Sequence, residues 1–227
     1  MNVSFVLETL FQGFGKTVLL FVVTLVLALP LGLIISFGSM SKFKPLKYLI
    51  KAIVWIVRST PLMLQILLVS FIPYYVFGSY TVDLAYKLNM EIDQLMFFFV
   101  AVAFVLNYAC YFSEIYRGAI QAIPRGQYEA GKVLGLKKGQ IFFRIVLFQV
   151  FRKILAPMSN EIITLVKDTA LASVLGVIDL FTAAQNMMKT IISLMPLLYA
   201  GVFYLVFNGL LTILFSVLEK KMAFYKE

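Results

Sequence analysis

Five polar residues interrupt one otherwise oily stretch: Asn160, Glu161, Thr164, Lys167 and Asp168. Steps of three, four and seven residues put them on one helical face, with Glu161 and Asp168 nearly superposed two turns apart. Carboxylates so placed can receive an ammonium or guanidinium group, and Lys167 can receive a carboxylate. A weaker set, Asn107, Tyr111 and Glu114, repeats at intervals of four and three. A third comprises Arg58, Ser59, Thr60, Pro61 and Gln65, in which Pro61 removes a backbone donor and should kink or unwind its helix. Two readings stay open for the first set: a helix lining a polar passage, or hydrogen bonds that fix helix packing. The cost of placing two acids and a lysine in one apolar stretch favours the passage. Glu114 has a structural alternative, pairing with Arg117 one turn on, and Arg58 can snorkel toward a membrane surface.

Other chemistries are excluded. The chain has no histidine and a single cysteine, Cys110, so imidazole acid–base catalysis, thiolate metal sites and an intrachain disulfide are out of reach. The string GFGKT at Gly13 to Thr17 resembles the end of a phosphate-binding loop, but Leu10 stands where the first glycine belongs and no strand precedes it. No catalytic constellation emerges. The chain is not expected to be an enzyme, nor to hold a metal or cofactor.

The elements that must position these residues are membrane helices. Of the 227 residues 62% are hydrophobic and the mean hydropathy is +0.94, far above soluble domains. Apolar runs at about 17–37, 52–77, 95–116, 154–175 and 196–218 are each long enough for a hydrocarbon core of ~30 Å. The expectation is an all-α integral membrane protein, a single domain over 1–227 with five spans. Lys42, Lys44, Lys47 and Lys51 follow the first run, eight Lys or Arg lie between Arg117 and Lys153, and Lys220, Lys221 and Lys226 follow the last. The alternate connections carry Lys87 and Lys189 beside Asp83, Glu91, Asp93 and Asp179. By the positive-inside rule the N-terminus is outside and the C-terminus cytoplasmic. The net charge of +9 is thereby explained by topology, without a nucleic-acid partner. A cleavable signal peptide is not expected, because the first run is too long and only Lys16 precedes it.

The basic segment 125–148 is the one long wet interruption. Pro124 and Gly126 set it off; a short helical run from Gln127 to Leu134 ends at Gly135, suited to a helix C-cap, and a second run resumes at Lys137. Two short helices at an angle would form an elbow. It would fit a groove in a soluble partner or lie on anionic lipid.

At Glu129 to Phe148, EAGKVLGLKKGQIFFRIVLF resembles the EAA loop of permease subunits of bacterial ATP-binding-cassette importers. Glu129, Ala130, Gly135, Ile145 and Leu147 match; Gly131 replaces the second alanine and Phe148 the usual proline. RSTPLMLQ at Arg58 to Gln65, SEIYRGAIQAIPRGQ at Ser113 to Gln127 and NEIITLVKDTALAS at Asn160 to Ser173 resemble motifs of the polar amino acid uptake branch. The resemblance runs from about Arg58 to Asp179. It implies a type I importer-like fold with a cytoplasmic coupling helix, in the bacterial inner membrane. It further implies a dimer, with a second copy or a homologue, and separate ATPase subunits that bind ATP and Mg. An extracytoplasmic amino acid-binding protein would deliver substrate for alternating access, with lipid around the spans. Glu129, Ala130, Gly131 and Gly135 would couple to the ATPase. Asn107, Asn160, Glu161, Thr164 and Asp168 would contact substrate, Glu161 pointing toward a basic amino acid. Arg58, Pro61, Glu114 and Lys167 would gate or brace the passage. The competing expectation is a channel or ion-gradient-driven transporter.

Overall fold

The computed structural model describes residues 3–78 and 81–222; Lys226 lies outside them. The described elements are helical. In chain order they are α1 (Val3–Ser39), α2 (Lys44–Ser59), α3 (Leu62–Phe77), α4 (Thr81–Lys87), α5 (Ile92–Gln121), α6 (Arg125–Val133), α7 (Lys138–Ile141), a π turn (Phe142–Val146), α8 (Leu147–Asp168), a 3-10 turn (Thr169–Leu175), α9 (Leu180–Ile191) and α10 (Met195–Met222).

Helices α1, α5 and α10 are long and apolar enough to cross a membrane, and the bent pair α2–α3 passes as a fourth. The expected count of five is not reached on composition. The expected span over 154–175 falls on α8 and the 3-10 turn, and α8 carries Arg152, Lys153, Glu161, Lys167 and Asp168. Nor is it straight: the α-helix ends at Asp168, and the 3-10 turn is closed by Gly176 at φ 74°.

The run at 52–77 is likewise no single helix. Pro61 lacks the N–H that would continue α2 and pushes Thr60 out of helical geometry. Thr60 (φ −110°, ψ 144°) and Pro61 (φ −61°, ψ 136°) are extended, and α2 and α3 meet at 112°. The carbonyls this break frees need partners in an apolar setting. Gln65 supplies them, its Nε2 donating to Val57 O at 2.7 Å and Thr60 O at 3.1 Å.

Helix α5 is the buried centre. Phe104, Tyr108 and Phe112 are fully inside the core that α1, α3 and α8 share with it. Gly32 of α1 lies against Ala109, Phe112 and Ser113, so close that a Cβ there would sit 2.8 Å from the Ala109 carbonyl. Toward the other end, Thr17 accepts a hydrogen bond from Leu180 N while Leu175, just before, packs on Leu95 and Phe99. Helices α1 and α5 therefore run parallel.

Hydropathy alone leaves residues 176–195 as a connection, yet they contain α9. Asp179, almost wholly buried, caps it by accepting from Phe181 N and Thr182 N. Burial raises its carboxyl pKa against the lowering effect of those donors. The first glycine of GFGKT now has a packing explanation. A Cβ on Gly13 would lie 2.8 Å from the Asp179 carbonyl, so glycine lets α9 start against α1.

Candidate functional site

The break between α2 and α3 opens beside the polar faces of α5 and α8. Thr60, Pro61 and Leu62, with Asn107, Tyr108 and Tyr111 of α5, Glu161, Thr164 and Asp168 of α8 and Leu171 of the 3-10 turn, line a cavity of about 310 Å³. Four elements meet there. The i, i+4 spacing of Asn107 and Tyr111 and the i, i+3, i+7 spacing of Glu161, Thr164 and Asp168 are what a helix needs to turn one face inward.

Most polar groups at this cavity are already matched to one another. Asn107, 5% exposed, donates through Nδ2 to Gln65 Oε1 at 2.9 Å, and the same Gln65 caps the end of α2. Tyr108 donates its hydroxyl to Asp168 Oδ2 at 2.7 Å, tying α5 to α8. Below them, Arg117 Nε donates to Glu114 Oε1 at 2.8 Å, and Arg58 reaches the same carboxylate at 3.7 Å. Arg58 also lies over the Tyr111 ring, 4.9 Å from its centroid, a cation–π geometry. Two guanidinium groups thus share one carboxylate, which leaves this edge of the cavity net positive. Glu161 differs from all of these. It lines the cavity without a hydrogen bond or ion pair among the described residues.

Not every expected residue arrives here. Asn160 and Lys167 are exposed and do not line the cavity. Lys167 follows Val166, which is fully buried, and the 100° step between them turns the lysine away. The cation at the cavity edge is Arg58 instead. Tyr108, by contrast, is not among the residues that the sequence pattern singles out. Its signal was available: a tyrosine next to Asn107 in an apolar span must find a partner for its hydroxyl when buried.

The elbow lies at the end of α5. Helix α6 ends in a Schellman motif: Gly135 at φ 74° donates to Lys132 O at 2.9 Å, and Leu136 N donates to Gly131 O at 3.0 Å. Gly131 has a steric role. A Cβ there would sit 2.7 Å from Ile141 Cγ1, so glycine in place of alanine lets the buried Ile141 cross α6. Glu129 and Ala130 are exposed, as are Val133 at 88% and Leu134 at 75%. The second arm is not a separate short helix. Helix α7 passes through the π turn into α8 without a break, and Phe148 sits inside that continuous helix, where proline would remove a donor.

Comparison with known proteins places these features. Residues 28–224 match the family model described as "Binding-protein-dependent transport system inner membrane component". The L-cystine transport system permease protein of Bacillus subtilis is 33% identical over 215 residues, 94% of this chain and 86% of that protein. The arginine transport system permease protein of the same organism is 34% identical over 222 residues, 97% and 94% of the two chains. Among solved structures, one described as "Crystal structure of an amino acid ABC transporter with histidines" superposes with TM-score 0.82. It has 26% identity and covers 97% of this chain and 98% of that one.

Proposed function

Because the chain belongs to the family of binding-protein-dependent transport system inner membrane components, we propose that it forms the passage of an ATP-driven importer for polar amino acids that carry a cationic side chain. Its role as an amino acid importer permease rests on the family and on relatives that match nearly end to end. The substrate reading rests on one observation. Glu161 is the carboxylate that lines the cavity without a hydrogen bond or ion pair among the described residues, while Asp168, Asn107 and Glu114 are each engaged. An arginine, lysine or histidine side chain would supply the missing charge. Thr164 would add a hydroxyl, and the net-positive edge at Arg58 would favour the α-carboxylate. Asn107 and Asp168 would shape the site as a braced wall, and Asn160 and Lys167 would contribute from outside it.

Five crossings complete the topology, with α3, entered from the strongly bent α2, as the second and α8 with its 3-10 turn as the fourth. The N-terminus is outside and the C-terminus cytoplasmic, in the bacterial inner membrane. A second copy or a homologous subunit closes the passage around the polar faces. ATP and Mg are bound by separate ATPase subunits, each gripping one elbow at Glu129, Ala130 and the Gly131 to Gly135 turn, and an extracytoplasmic binding protein delivers substrate. Closure of the ATPases draws the elbows together. Continuity of α7, the π turn and α8 supports this coupling, since one unbroken helical run joins Ile141 at the elbow to Glu161 and Asp168 at the cavity.

Proteoliposomes test the reading directly. With the ATPase and binding protein present, arginine, lysine or histidine should enter only when ATP is supplied. Uptake by this chain alone, driven by an ion gradient, would overturn it in favour of a secondary transporter, and ATP-driven uptake restricted to acidic amino acids would overturn the substrate class.

A further inference from the structure

We infer that α2 is an in-plane docking surface for the headgroups of anionic phospholipids. The sequence places no Asp or Glu between Glu8 and Asp83, while Lys42, Lys44, Lys47, Lys51 and Arg58 fall within that stretch. At 100° per residue, Lys44, Lys47, Lys51 and Arg58 share an arc of about 60°, and Leu46, Leu49, Ile53 and Ile56 occupy the far side. Those four apolar side chains are all exposed, between 41% and 59%. Lys42, Lys44 and Lys47 form no ion pair among the described residues.

The fold sets the angle of this helix. Ile50 rests on Gly38 near the end of α1, and Arg58 meets Glu114 and Tyr111 of α5. Since Gly32 lies beside Ala109 and Ser113 and the two helices run parallel, Gly38 is about level with Gly118. From Ile50 to Arg58, about 12 Å of helix, the chain shifts by about 6–10 Å along α5, between the levels of Glu114 and Tyr111. The 112° bend into α3 agrees: α2 is strongly tilted rather than upright. A strongly tilted helix with a basic stripe and an apolar face has the pattern of an interfacial helix, its apolar side among acyl chains and its lysines at the phosphates. Trp55, 70% exposed, and Tyr48, 64% exposed, lie side by side along one edge of the basic stripe, where interfacial aromatics sit. Charge complementarity selects an acidic headgroup over a zwitterionic one. The inference depends on neither the transported substrate nor the side on which α2 lies.

Trp55 is the chain's single tryptophan and lies on α2 itself. The full chain in lipid nanodiscs is titrated with phosphatidylglycerol or phosphatidylcholine bearing brominated acyl chains, and quenching of Trp55 is compared at equal mole fraction. Phosphatidylglycerol should be enriched at Trp55 by roughly tenfold over phosphatidylcholine. That preference should fall toward unity in K44Q/K47Q, with quenching by both lipids retained. In the unaltered chain it should collapse as salt rises from 0.1 to 1 M, because the screening length drops from about 10 to about 3 Å. Equal quenching by the two lipids, a preference that survives the double substitution and high salt, or no quenching by either, as when a second copy of the chain covers α2, would each overturn it.

Discussion

The cavity and the elbow are built in opposite ways. The elbow is held by local backbone geometry: a Schellman turn at Gly131 to Leu136 and one close crossing of Ile141 over Gly131, with Glu129, Val133 and Leu134 left facing water. The cavity is held by side-chain hydrogen bonds between residues far apart in the chain, Gln65 to Asn107 and Tyr108 to Asp168, 42 and 60 positions distant. One region exposes its functional groups and hides its braces. The other consumes most of its polar groups as braces and leaves Glu161 lining the cavity without a hydrogen bond or ion pair among the described residues. Substitutions in the two regions should therefore fail in different observables.

Glu161→Gln is the sharpest separation and should have the largest effect. Losing a charge-assisted contact of about 1.5–3 kcal/mol should raise the half-saturation concentration for arginine by roughly ten- to a hundredfold. Thermal stability should hold, because Glu161 makes no hydrogen bond or ion pair among the described residues; a fall in stability with unchanged half-saturation would make Glu161 a brace like its neighbours. Gly131→Val should act on the elbow, forcing Ile141 aside at about 1–3 kcal/mol. It should lower substrate transported per ATP hydrolysed and leave half-saturation alone. Tyr108→Phe strips the half-buried Asp168 of its donor, for about 1–3 kcal/mol measured by thermal unfolding in detergent. Gly135→Ala is the mildest. Its left-handed φ of 74° costs an alanine about 1 kcal/mol, read as a small drop in coupling without change in the cavity.

The elbow was largely legible because its determinants are local. Gly135 announces a helix stop, and the run before it is short and basic, so the turn follows from a few adjacent residues. What sequence could not supply was the fate of the second arm, which depends on α7 continuing through the π turn into α8 rather than on any breaker in 137–148. At the cavity, spacing put Glu161, Thr164 and Asp168 on one face, but the same spacing admitted Asn160 and Lys167, which the neighbouring helices leave outside. Pro61 announced a kink; the 112° it produced, and the use of Gln65 to satisfy the opened end, required α5 to be in place.

By itself the sequence determined that the chain lives in a membrane, that its basic residues crowd alternate loops, where the elbow turns and which residue types could meet a polar cargo. These follow from hydropathy, charge bias and backbone preferences, all of which act over a turn or two of chain. Only the tertiary structure decided which polar groups spend their hydrogen bonds on one another and which is left over. Pairing depends on helices separated by dozens of residues meeting at one depth, and periodicity fixes a face without fixing what that face will meet.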